Sequence, residues 1–158
     1  MANEQQAANA NEMDEGKQVV AFKLREEEYG VSILNVQEIR NLTDITRVPF
    51  AADFIKGVIN LRGSVLPVID LKKRLGLAET PYTNDTRIVT VTVDDIHVGM
   101  LVDAVTEVLT VDGKTVDTKK ATNDKSGSKF LNGIGNVDGR LIIMLNLEEI
   151  IGTQGEGK

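Results

Sequence analysis

Apolar and polar residues alternate with a period of two through much of the chain, the period of a half-buried strand. The clearest case is R87-I-V-T-V-T-V93, followed by Asp94-Asp95 and then I96-H-V-G-M-L-V102. This order predicts a hairpin whose turn is Asp94-Asp95, because Asp tolerates the backbone conformations that tight turns need. V19-V-A-F-K-L24 is a further strand candidate, rich in β-formers. N136-V-D-G139 places another turn before R140-L-I-I-M-L145, and Arg62-Gly63 stands in the same way before V65-L-P-V-I69. Pro67 has no N–H to give to a ladder, which predicts an edge strand or a bulge. Helical spacing is scarce. Ile33, Val36 and Ile39 are three apart, compatible with a short helix over 32–39 or with a helical turn running into a strand. Asp70 is placed to cap D-L-K-K-R-L-G, which Gly76 would end, and Asn146 to cap N-L-E-E-I-I-G, which Gly152 would end.

These segments recur. G57-V-I-N-L-R-G-S-V-L-P-V-I-D-L-K-K-R-L-G76 aligns without gaps on G133-I-G-N-V-D-G-R-L-I-I-M-L-N-L-E-E-I-I-G152. Gly57, Asn60, Gly63, Leu71 and Gly76 meet identical residues, and Asp70 meets Asn146, both N-cap types. Upstream, G30-V-S-I-L-N-V-Q-E-I39 aligns on G99-M-L-V-D-A-V-T-E-V108, with Val36 over Val105 and Glu38 over Glu107. The chain therefore reads as two similar β subdomains, about 19–80 and 86–152, within one domain spanning 17–152. Each has several short strands, and small twisted barrels are the natural way to protect their edges.

Charge narrows the choice of partner. The formal net charge is −6, but residues 1–16 carry four acids and no base. Residues 153–158 add one acid and one base, so 17–152 hold 24 − 5 = 19 acids against 18 − 1 = 17 bases. A nearly neutral body has little pull on nucleic-acid phosphates or anionic lipid. Residues 1–16 lack the basic start and apolar run of a secretory signal and read as a disordered tail, and 153–158 as a flexible one. The absence of cysteine excludes disulfides and thiolate metal sites and fits a reducing cytoplasm.

Motifs of catalysis are missing. There is no HExxH, GxSxG, phosphate-loop or dinucleotide pattern, and Gly57 and Gly63 flank a strand rather than open a helix onto phosphate. His97, the single histidine, lies in an alternating strand and reads as structural. A carboxylate-based hydrolase would need two acids gathered near it. No enzyme activity, cofactor or metal is expected. Lys72-Lys73-Arg74 reads as the solvated last turn of a short helix, where cations suit the dipole, or else as a phosphate patch. The aromatic residues are scattered without interleaved bases, which disfavours a stacking platform for single strands. A small-barrel module for another peptide or an oligonucleotide is the alternative to the assignment that follows.

F54-I-K-G-V-I-N-L-R-G-S-V-L-P-V-I-D-L71, E28-Y-G-V-S-I-L-N-V-Q-E-I-R40, I45-T-R-V-P49 and H97-V-G-M-L-V-D-A-V-T-E-V-L109 together closely resemble the signature of the CheW family of chemotaxis coupling proteins. The resemblance covers about 17–152. It implies two intertwined five-stranded SH3-like β-barrels with short helices. It also implies a non-catalytic, cytoplasmic adaptor joining the tips of transmembrane chemoreceptors to the regulatory domain of the CheA histidine kinase, recruited to membrane-associated arrays. By matching position, Val36, Glu38, Gly57 and Arg62 are implied on the receptor side. Val105 and Val108 either line that groove or belong to the core. Ile45, Val48 and Lys56 are implied at the kinase-facing edge of the first barrel. Arg62 is either a plain turn residue or a recognition residue whose planar fork pairs with carboxylates or amides. The stretch 112–130 departs from the family by being basic and loop-like, with Lys119, Lys120, Lys125 and Lys129.

Overall fold

The structure, a computed structural model, describes residues 17–111 and 128–152. The tails expected at 1–16 and 153–158, and most of the basic stretch, lie outside the described residues. The strands among the described residues are β1 (Lys17–Leu24), β2 (Glu27–Ser32), β3 (Val36–Asn41), β4 (Ile55–Leu61), β5 (Ser64–Asp70), β6 (Arg87–Val93), β7 (Ile96–Val102), β8 (Ala104–Val111), β9 (Leu131–Val137) and β10 (Arg140–Leu145), of which β1, β5, β6, β7 and β10 cover stretches read as strands from the sequence. Two short helices follow strands, α1 (Leu71–Arg74) after β5 and α2 (Leu147–Ile151) after β10. Asp94 and Asp95 form the predicted turn with φ of 50° and 70°, which their short side chains tolerate. The segment over 32–39 resolves into a 3-10 turn, Ile33–Asn35, running into β3.

The repeat is visible in the sheets. One has the order β8-β1-β2-β10-β9 and the other β3-β6-β7-β5-β4. Exchanging each strand for its repeat counterpart turns one order into the other. Each sheet takes three strands from one half of the chain and two from the other, so the sequence halves 19–80 and 86–152 are not the two sheets. The fold is mainly β, with two intertwined five-stranded units. The exchange is closed by parallel pairs, Tyr29 beside Ile143 and Met100 beside Ile69. Among the described residues no ladder joins β8 to β9 or β3 to β4, so the hydrogen-bonded rings expected of closed barrels stay open.

Pro67 is a correction. β5 lies between β4 and β7, not at an edge. The ladder with β7 begins one residue later, at Val68, so the missing donor is not required there. A register shift in β4, between Ile55 and Gly57, lies opposite Val68 and Ile69.

The main core lies between the sheets. Phe22, Leu24, Tyr29 and Val31 from one meet Ile69, Val89, Val91 and Met100 from the other, with Leu71, Leu147 and Ile150 of the helices joining them. A smaller cluster, Ile59, Leu66, Val68, Ile88 and Leu101, fills the second sheet's own concavity.

Both helices start as their caps predict. Asp70 accepts from Lys73 N at 3.2 Å and Asn146 from Glu149 N at 3.3 Å. Gly152 ends α2 with φ 77°. Lys72-Lys73-Arg74, however, is not a solvated turn. A single-turn helix pressed on the core cannot turn three consecutive side chains to water. Lys72 is buried, paired with Asp103 at 2.6 Å and bonded to Thr80. Asp103 also accepts from Arg25 N at 2.7 Å, tying the β1–β2 turn to α1. Arg74 stacks on Phe54 with its guanidinium carbon 3.8 Å from the ring centroid, and lies 5.0 Å from that of Phe130. It donates to the backbone oxygens of Ile150 at 2.9 Å and Glu149 at 3.0 Å. Only Lys73 is exposed. Arg74→Ala removes two charge-assisted bonds and the stacking, leaving the α2 carbonyls short of a donor. It is expected to lower stability by about 3 kcal/mol in urea unfolding.

Candidate partner-binding surfaces

Two tight turns of the same construction close the β4–β5 and β9–β10 hairpins. Asn60 Oδ1 accepts from Gly63 N at 3.2 Å, and Asn136 Oδ1 from Gly139 N at 3.0 Å. The residues between are Arg62, φ 55°, and Asp138, φ 53°. Asp enters the left-handed region with local side-chain support; Arg has none and pays about 1 kcal/mol. A guanidinium at this position is not the turn's preference. It extends into solvent, its side chain 72% exposed, and forms an ion pair with Glu38 of β3.

Glu38 is positioned by its strand. The pairing of β3 with β6 shifts register between Val36 and Glu38, leaving Gln37 as the extra residue of a bulge. The buried Thr90 hydroxyl accepts from Glu38 N at 3.0 Å just past that bulge. Arg40, two residues on and so on the same face, donates from Nη1 to Glu38 Oε1 at 2.9 Å. Arg40 first, and Arg62 after it, hold the Glu38 carboxyl below its ordinary pKa.

The other sheet carries a related device. Arg140, just past the second turn, reaches Glu28 of β2 at 2.6 Å and pairs with Glu107 of β8, the repeat counterpart of Glu38. Each sheet is thus drawn together across its open side by an Arg–Glu pair. The bulge recurs too: β8 shifts against β1 between Ala21 and Phe22, leaving Thr106 extra, whose hydroxyl donates to Glu28 at 2.9 Å.

Of the receptor-side residues implied by sequence, Glu38 and Arg62 are brought into contact. Gly57 is buried and offers no surface; an added Cβ would stand 2.2 Å from Thr46 O. Val36 and Val105 occupy equivalent positions and pack, partly buried, against the main core. Val108 is exposed on β8. Val105 and Val108 therefore lie in a different sheet from Glu38.

Ile45, Val48 and Lys56 gather along the β4 edge. The segment after β3 is held there by reciprocal backbone bonds, Thr46 N to Val58 O at 2.9 Å and Val58 N to Thr46 O at 2.8 Å. Ile45 packs against the smaller core cluster, Val48 is exposed, and Lys56 stands 5.3 Å from the Tyr82 ring centroid. The Tyr82 hydroxyl is the main cause that raises the Lys56 pKa. Sequence reasoning passed over Phe50, fully exposed with φ 67°, beside Val48 on the same segment. An apolar ring directly after Pro49, outside any alternating stretch, was the available signal. It also passed over Arg40 and Arg140. His97 is exposed and bonds Thr92 at 2.9 Å.

Gly57→Ala is expected to push Thr46 off β4 and lower stability by about 2 kcal/mol, with faster proteolysis within 42–54. Glu28 gives a pH signature. Its carboxyl is held below the ordinary value chiefly by the Arg140 bond, against the upward pull of burial. A lowered native pKa adds stability above the unfolded-state value, about 4.3, and that contribution is lost as pH falls through the native value. Denaturant midpoints of the wild type and Glu28→Gln should differ at pH 7 and converge as the solution is acidified below about pH 4.3.

The CheW-like domain model matches residues 18–154. The chain is 37% identical to the chemotaxis protein CheW of Thermotoga maritima over 134 residues, covering 85% of this chain and 87% of that one. It is 34% identical to the chemotaxis protein CheW of Bacillus subtilis over 140 residues, covering 89% and 90%. A crystal structure of the scaffolding protein TtCheW from Thermoanaerobacter tengcongensis superposes with a TM-score of 0.80 at 36% identity, covering 90% of this chain and 96% of that one. With its two exchanged sheets and its N-L-R-G hairpin, the chain belongs to the CheW-like domain family.

Proposed function

We propose that this chain couples the cytoplasmic tips of transmembrane chemoreceptors to the regulatory domain of the CheA histidine kinase, holding both and transforming neither. Membership of the family makes it a non-catalytic chemotaxis scaffold. The finer assignment rests on one observation above the rest: an arginine in a turn position that disfavours it, paired with a glutamate set by a bulge. Strain retained at an exposed polar pair is what a recognition site leaves in a fold. Val36 and Gly57 are assigned to support the receptor side from within the sheet that carries that pair, and Val105 and Val108 to a second part of it on the other sheet. The β4 edge is assigned to the kinase, with Ile45, Val48 and Lys56 presented on the segment tethered at Thr46. Among the described residues no helix is long and apolar enough to cross a membrane, so attachment to receptor arrays in the cytoplasm would come through these contacts.

Reconstitution with CheA and receptor signalling fragments tests the assignment: kinase activation should require this chain. Arg62→Glu should weaken capture of receptor fragments about tenfold or more while sparing CheA. Ile45→Asp should do the reverse. Equal loss of both partners, with a lowered melting midpoint, would count against two separate faces.

A further inference from the structure

The Glu38 carboxylate serves two arginines, one per oxygen: Oε1 takes Arg40 and Oε2 takes Arg62. The Arg40 bond is 2.9 Å, and Arg40 Nε is buried with no hydrogen-bond partner. A buried donor left open calls for an explanation. The side chain forgoes that bond while its Nη1 is held on Glu38. Two cations and one anion leave the group with a net charge of +1, on a body that is otherwise nearly neutral. Arg62 is the exposed member. With only one Glu38 oxygen facing it, most of its five N–H donors remain for another acceptor.

Resting on the coupling function proposed above, we infer that the receptor tip presents a carboxylate to Arg62, and that Arg40 is the positioning residue that keeps Arg62 available by holding Glu38. The geometry gives the exchange a low barrier in electrostatic terms. When a partner carboxylate takes Arg62, Glu38 keeps Arg40 and is not left as a half-buried anion without a cation. Without Arg40, both Glu38 oxygens turn to Arg62 in a bidentate pair, the net charge falls to zero, and an incoming carboxylate must displace a neutralised partner. The Thr90 hydroxyl accepts from the Glu38 backbone N–H at 3.0 Å and so fixes the strand position from which the carboxylate reaches both arginines.

The test is titration calorimetry of the full-length chain with receptor signalling fragments, with melting midpoints measured alongside. Arg40→Gln should weaken binding about tenfold, because Glu38 then competes for Arg62 with both oxygens. Arg40→Lys should bind like the wild type. Affinity should fall with added salt, and less steeply for Arg62→Gln. Wild-type affinity in Arg40→Gln, or an equal loss in Arg40→Lys, overturns the inference. So does a melting midpoint that falls and recovers in step with affinity, which would assign Arg40 to the fold. An Arg62→Gln variant with unchanged salt dependence removes the carboxylate. Failure of the wild type to bind any receptor fragment overturns the coupling function itself and this inference with it; binding with an unaffected Arg40→Gln removes the inference alone.

Discussion

Arg74 stands where the two halves of the molecule meet. Phe54 and Phe130, the rings it lies against, occupy equivalent positions of the repeat, and Ile150, whose carbonyl it caps, is the repeat counterpart of Arg74 itself. Contact between equivalent positions is what an internal two-fold axis passing between them requires. A single side chain cannot obey such symmetry, so one half supplies the arginine and the other supplies Ile150. The guanidinium suits the place because it joins an aromatic face to backbone oxygens, two kinds of neighbour an aliphatic chain could not satisfy together. It closes α2, whose last carbonyls would otherwise face the core unpaired. Around this point the core that both sheets share is assembled.

The exchange of strands follows from the same arrangement. Each half alone has five short strands, too few to bury both faces of its own sheet. Passing two strands into the other sheet makes the main core common property: Phe22 and Tyr29 pack with Val89 and Met100, which lie far away along the chain. Neither sheet can separate without exposing that core, so the two behave as one domain. Among the described residues the ladders do not close into rings, and the closing job falls to side chains, Glu38 with Arg62 and Glu107 with Arg140. An ion pair can open and re-form where a backbone ladder cannot. The open side of each sheet is thus held by partly or well exposed side chains rather than by backbone.

Much of this was legible in the sequence, in those features that are local. The alternation of R87-I-V-T-V-T-V93, the Asp94-Asp95 turn and the caps at Asp70 and Asn146 all depend on neighbours a few residues away. The repeat was legible because equal folds need equal glycines and turns. What escaped depends on contacts across the chain. Pro67 argued for an edge or a bulge; β5 is inside its sheet, with the irregularity on the neighbouring β4, because a single strand does not show where its ladder begins. Lys72-Lys73-Arg74 argued for solvent because three adjacent cations usually have it; only the distant Asp103, Phe54 and Ile150 make burial affordable. Arg40 and Arg140 carried no local mark, since their acceptors lie in register positions that only the folded sheets define. Glu38 and Arg62 were singled out through family resemblance, and the structure adds the reason they meet: a bulge turns one toward a turn that holds the other.

The symmetry also shows where the two halves depart from one another. Most paired positions carry residues that do the same job, such as Asn60 and Asn136 in the turns or Val36 and Val105 under the sheets. At the turn tip the two halves differ, Arg62 against Asp138, although both adopt nearly the same left-handed φ. Asp is the residue the backbone favours there, so the half that keeps it reports what folding alone would select. The half that does not gives up that local support and gains the ion pair with Glu38; Arg25 against Asp94 makes the same contrast at another pair of turns. The closing arginine of the second sheet, Arg140, instead sits past its turn, in a strand that accepts it without left-handed strain. Two sheets with one architecture thus solve the same closure problem differently, and the strained solution is the one that leaves its guanidinium in water.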